Sequence, residues 1–168
     1  MKDESSNPDE SQFLSFLLGN EIFGIGILKI REIIEYSDLT HVPMMPDFIP
    51  GVINLRGNVV PVIDLNARLY RKRTTIERKT CIIIVEVLIG KDKMDVGLMV
   101  DAVREVIDIP PSKIDPPPTL GAQIRVEYIY GIGKPDDTFL ILLNADRILT
   151  LDDLKFIKQP NPEEALRG

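Results

Sequence analysis

The chain has 168 residues, 44% of them apolar and 27% charged, with a formal net charge of −6. That length buries a core as one domain or as two joined subdomains, and the composition is globular rather than disordered. The negative balance argues against binding driven by a nucleic-acid backbone, and a lone cysteine, Cys81, excludes an internal disulfide framework.

Residues 1–11 (MKDESSNPDES) are polar and acidic and lack the apolar stretch of a signal peptide, so they read as a flexible tail. No apolar run reaches the roughly 18 residues that a membrane helix needs, and a cytoplasmic protein is expected. FLSFLL, ended by Gly19-Asn20, reads as a strand running into a tight hairpin. In FGIGILKIREII, the spacing of Ile27, Ile30, Ile33 and Ile34 suits either one helical turn between strands or a strand alone. GVINL and VVPVID flank Gly57-Asn58, a second hairpin candidate. Pro61 needs an edge or bulge where its missing N–H does no harm.

RLYRKRTTIERKT (68–80) is a basic connector. Its scarcity of aromatics favours a solvated segment over a phosphate-binding one. CIIIVEVLI follows, with Cys81 expected as a small buried hydrophobe. PPSKIDPPPTLGAQ (110–123) is a proline-stiffened loop that serves either as a contact or as a rigid connection. FLILLN is the last strand. The chain then reads as helical over 145–157, with Asn144 and Thr150 as N-cap candidates and Asp153 placed for a capping box, before a tail at 158–168.

These segments form a repeat. FLSFLLG (13–19) aligns with IVEVLIG (84–90), and FGIGILKIREII (23–34) with VGLMVDAVREVI (96–107), where Gly24, Arg31, Glu32 and Ile34 recur identically. Pro43 then corresponds to Pro116, and residues 49–64 align with 129–144 through Gly51 and Gly131. Four matches in one order indicate two copies of one β unit. A unit of about 50–60 residues closes a small barrel with a marginal core of its own. Two barrels sharing an apolar interface are therefore expected, the first over 12–67 and the second over 81–144.

Reactive chemistry is sparse. His41 is the only histidine, so neither a Ser/His/Asp set nor a zinc site with Cys81 is supported. Gly24-Ile25-Gly26 and Gly131-Ile132-Gly133 do not continue as a dinucleotide fingerprint. Asp136-Asp137 and Asp152-Asp153 suit a turn and a helix start better than a calcium loop. No catalytic residue, cofactor or metal is assigned, and binding is the expected activity.

From Gln12 to Ile157 the sequence resembles the CheW family of chemotaxis coupling proteins. The resemblance is most specific at GVINLRGNVVPVIDL (51–65), and VGLMVDAVREV and YIYGIG support it. It implies an all-β fold of two tandem, SH3-like, five-stranded barrels packed together, with a short C-terminal helix. It implies a non-catalytic adaptor between transmembrane methyl-accepting chemoreceptors and a CheA-type histidine kinase, recruited to receptor clusters and able to join other copies in rings. By the same resemblance Ile30, Glu32, Ile33, Tyr36 and Arg56 contact kinase or receptor, and Leu120 makes an apolar ring contact. Gly51 and Gly131 are glycines at which backbone passes closely. Read from the residues alone, Ile30 and Ile33 suit core as well as interface, and Arg56 suits a solvated turn. The alternatives are a scaffold of a non-flagellar chemosensory pathway and, more remotely, a nucleic-acid-binding barrel.

Overall fold

A computed structural model describes residues 11–117, 125–150, 152 and 153. The elements are β1 (Gln12–Leu18), β2 (Glu21–Gly26), β3 (Ile30–Glu35), β4 (Gly51–Leu55), β5 (Asn58–Asp64) and helix α1 (Leu65–Tyr70). After the connector come β6 (Cys81–Ile89), β7 (Asp92–Val100), β8 (Ala102–Asp108), β9 (Ile114–Asp115), β10 (Ile129–Gly133) and β11 (Leu140–Leu143). The first sheet has the order β8-β1-β2-β11-β10-β9 and the second β3-β6-β7-β5-β4. The architecture is all-β with two curled, SH3-like sheets. The second has the five expected strands; the two-residue β9 makes the first six-stranded.

The strands are not dealt to the sheets in the expected order. The second sheet is built from the uninterrupted stretch 30–100, and the first from strands on either side of it. A boundary at 68–80 therefore separates the two repeats and not the two sheets. In terms of the repeat, the hairpins β1–β2 and β6–β7 have changed places. β1 pairs with β8 and β2 runs parallel to β11, while β6 pairs with β3 and β7 runs parallel to β5. Equivalent strands of two similar copies offer equivalent ladder edges, so pattern alone does not distinguish the two pairings.

The exchanged hairpins are covered on both faces, which explains their near-continuous apolar sequences. Ile82 and Ile84 of β6 face the interior of the second sheet with Val60, Val62 and Met99. The alternate residues Ile83, Val85, Val87 and Ile89 join Leu14, Phe16, Leu18, Phe23 and Ile25 in a core shared by both sheets. Phe13, Ile109, Leu140 and Leu142 fill the interior of the first sheet. Each fully buried side chain of this kind contributes roughly 1.5–3 kcal/mol, so the shared core dominates the stability. The repeated glycines belong to this packing: a Cβ on Gly24 would lie 2.8 Å from Leu142 Cδ2, and one on Gly97 2.7 Å from Ile82 Cγ2.

Local expectations fare unevenly. The hairpin at Gly19-Asn20 forms, and Gly90 turns the matching hairpin of the second copy with nearly the same φ, 64° against 62°. The other hairpin turns at Arg56–Gly57, not Gly57–Asn58, because Asn58 already pairs with Leu55. Both turn residues have positive φ, 54° and 87°, the pattern of a type I′ turn. Ile27–Lys29 is a single 3-10 turn between β2 and β3. Pro61 lies one residue before β5 begins its parallel ladder with β7. Cys81 is only partly buried, its Sγ 3.1 Å from the Lys79 carbonyl oxygen.

Two features around the start of the connector are not apparent from local pattern. Asp64, 3% exposed, caps α1 by accepting from the Ala67 N–H at 3.2 Å. Arg68, far from solvated, donates to Ile148 O (2.9 Å) and Asp153 Oδ2 (2.7 Å) and lies over the Phe48 ring. At the C-terminal end Ala145–Arg147 is a 3-10 turn capped by Asn144. Thr150 and Asp153 bond reciprocally as a capping box does, at 2.8 and 3.2 Å. The rest of the expected helix, 154–157, lies outside the described residues.

Candidate partner-binding surface

β3 and β4 are the two end strands of the second sheet, and the sheet curls until these ends approach. The chain after β3 bridges back to β4 through Thr40 and Val52. At the tip of the β4–β5 hairpin, the left-handed Arg56 projects across this seam and its Nη2 donates to Glu32 Oε1 at 2.5 Å. The Arg56 side chain keeps 70% of its surface in water and that of Glu32 keeps 27%. The pair is open to a partner on the arginine side.

Five of the expected contact residues thus gather on β3, the residue after it and the β4–β5 turn. They are not alike. Ile33 is exposed opposite Ile83 in the β3–β6 ladder. Ile30 is half-buried against the shared core, and Tyr36 against the interior of the second sheet beside Ile34, Leu39 and Leu55. Leu120 lies outside the described residues. Exposed Leu28, just before β3, and Val59, on the hairpin that carries Arg56, add apolar surface that the sequence reading missed. In Val59 the signal was the position after Asn58, on the strand face opposite buried Val60.

The repeat provides an internal comparison. In the second sheet Arg31 pairs with Glu86 (3.3 Å) and Asp95 (3.6 Å), beside the Arg56–Glu32 pair. The equivalent residues in the first sheet are Arg104, Ser15, Ile22, Asp136 and Glu105. All five line a groove of about 380 Å³ along β8. Arg104 has lost both acids and Glu105 has lost its arginine, and among the described residues neither has an ion-pair partner. Val106, the equivalent of Ile33, is likewise exposed. One seam is bridged by its own charge pairs and the other is not.

Gly51 and Gly131 sit where backbone passes closely. A Cβ on Gly51 would lie 2.5 Å from the Thr40 carbonyl oxygen, and one on Gly131 2.8 Å from that of Asp115. Gly51→Ala and Gly131→Ala are each expected to lose about 1–3 kcal/mol, a fall of several degrees in a thermal melt. Gly26→Ala, with nothing within 4 Å of its Cβ, is the control that should melt as the parent does. An unchanged melt for both glycine variants would remove the close-packing explanation.

No helix among the described residues is long and apolar enough to cross a membrane. Comparison with known proteins identifies the family. The family model "CheW-like domain" matches residues 12–153. The chain is 34% identical over 146 residues to the chemotaxis protein CheW of Klebsiella aerogenes, covering 87% of this chain and 86% of that protein. It is 35% identical over 150 residues to CheW of Helicobacter pylori, with 89% and 87% covered. The crystal structure of the scaffolding protein TtCheW from Thermoanaerobacter tengcongensis matches with a TM-score of 0.77 at 34% identity, covering 91% of this chain and 96% of that one. The two curled sheets, the seam between β3 and the β4–β5 turn, and these similarities together make the chain a member of the CheW-like domain family, the chemotaxis adaptors.

Proposed function

We propose that the chain couples the cytoplasmic tips of methyl-accepting chemoreceptors to the regulatory domain of a CheA-type histidine kinase, without catalysis of its own. It works in the cytoplasm at receptor clusters on the inner face of the membrane, and binds neither nucleic acid nor cofactor. Ile30, Glu32, Ile33, Tyr36 and Arg56 carry kinase or receptor contact, and Leu120 an apolar ring contact.

The observation that carries this reading is the convergence of β3 and the β4–β5 turn on one seam, with a largely exposed guanidinium at its centre. An arginine in that setting offers a planar fork of donors to a partner's carboxylates or carbonyls. The difference between the two seams supports head-to-tail assembly with kinase domains or further copies, because such contacts need two unlike surfaces on one molecule. The test is reconstitution from purified chain, kinase regulatory domain and receptor tips, with full-length kinase for the activity measurement. Receptor-dependent kinase activation is expected only when the chain is present. Binding to neither component would overturn the reading.

A further inference from the structure

The basic connector is the one feature of the sequence that adaptor function leaves without a role. Residues 71–79 form no regular element, yet they are fixed from beneath. The buried Asp64 carboxylate accepts from Thr74 N (2.8 Å) and Thr74 Oγ1 (2.6 Å). Asn66 Nδ2 donates to Thr74 Oγ1 (2.8 Å) and to Asp101 Oδ1 (3.0 Å). Asp101 in turn accepts from Gly19 N at 2.6 Å. Farther along, Thr80 Oγ1 accepts from Glu77 N at 2.8 Å. These bonds hold the connector around a cavity of about 650 Å³ whose opposite wall is Leu17 and Ala102 of the first sheet and Gly19 of the β1–β2 turn.

Four cations line that cavity: Lys72, Arg73, Arg78 and Lys79. Arg73 reaches Asp47 at 3.3 Å, with both side chains largely in water. Lys72, Arg78 and Lys79 have no ion-pair partner among the described residues. The acids in the lining are Glu77 and Asp101, and Asp101 is already occupied by two N–H donors. In a chain of net charge −6, this is a local excess of positive charge on a loop held in one conformation. No aromatic side chain lines the cavity, so it has no platform on which a base could stack. Recognition falls to charge and to oxygen acceptors.

We propose that this cavity binds a phosphoryl anion the size of pyrophosphate or the polyphosphate tail of a nucleotide. The guanidinium forks of Arg73 and Arg78 and the ammonium groups of Lys72 and Lys79 match phosphate oxygens. Asp64 and Asn66 order the connector before the ligand arrives, so little conformational entropy is lost on binding. A ligand held there touches the connector and the first sheet at once.

The test is calorimetry and thermal melting of the full chain with sodium pyrophosphate, ATP and AMP at matched ionic strength. Pyrophosphate and ATP are expected to bind with similar affinity and raise the melting temperature, AMP to bind more weakly, and added sodium chloride to weaken all three. Replacing Lys72, Arg78 and Lys79 together by glutamate should remove binding while the ligand-free melt stays normal, since all three are exposed. Arg78→Ala alone should weaken pyrophosphate about tenfold, the loss of one charge-assisted contact, and serves if the triple variant folds poorly. The proposal fails if pyrophosphate does no more than matched sodium chloride. It fails equally if ATP binds and pyrophosphate does not, which would assign recognition to the base. Unchanged affinity in Arg78→Ala with a normal melt would move the anion elsewhere.

Discussion

Residues 1–80, expressed alone, are expected to give an aggregated or poorly protected chain with no cooperative melt. That fragment keeps the β1–β2 and β4–β5 ladders but loses every strand that joins them to a sheet. β1 loses β8, β2 loses β11, β3 loses β6 and β5 loses β7. Isolated two-stranded hairpins are marginal in water. The shared core goes too, because Ile83, Val85, Val87 and Leu98 lie beyond the cut. The loss exceeds the whole stability of an ordinary domain, about 5–15 kcal/mol. Mixing residues 1–80 with 81–168 should restore dispersed amide resonances and a cooperative transition. A sharp melt from 1–80 alone would contradict the nested arrangement of the sheets.

Arg56→Ala is expected to fold and yet fail to couple receptors to the kinase. The ion pair it removes is exposed on the arginine side, and such pairs contribute about 0.2–1 kcal/mol, a few degrees at most. A partner that loses the guanidinium keeps unsatisfied acceptors, at a cost of about 1–3 kcal/mol. That is roughly a five- to hundredfold loss of affinity. In a ring of repeated contacts the losses combine, since each linked engagement depends on the others. The double exchange Glu32→Arg with Arg56→Glu separates the two roles. It restores a charge pair across the seam while removing the cation from the hairpin tip, so stability should recover and coupling should not. Recovery of coupling would make the seam a purely structural element, and unchanged binding by Arg56→Ala would reduce the residue to its turn.

The repeat was legible because its carriers are physical necessities. Gly24 and Gly97 recur where a Cβ would strike the facing side chains, and Gly19 and Gly90 recur where hairpins need a left-handed residue. The strand partners were not legible. β3 finds β6 rather than β1 of its own copy although both offer a similar, largely apolar edge, and only packing of the whole chain separates them. Arg56 and Glu32 stand 24 residues apart, and nothing in local pattern announces a contact that arises from the curl of a sheet. Arg68 misled for a different reason. It opens a basic run, but the helix begun at Asp64 turns it inward beneath Phe48, where the aromatic ring and Asp153 receive its charge.

The nesting of one sheet inside the other also sets an order of assembly during synthesis. All strands of the second sheet have been synthesised by residue 100, and none depends on later sequence for a ladder partner. β1 and β2 emerge before any of them, but β11, the parallel neighbour of β2, is made last. At about 5–20 residues per second, the β2 edge of the first hairpin waits on the order of ten seconds for β11, while its β1 edge is covered sooner by β8. The sheet that carries the arginine seam is therefore complete while the other is still a hairpin, and a nascent chain halted before residue 140 displays the finished seam beside an open, aggregation-prone edge.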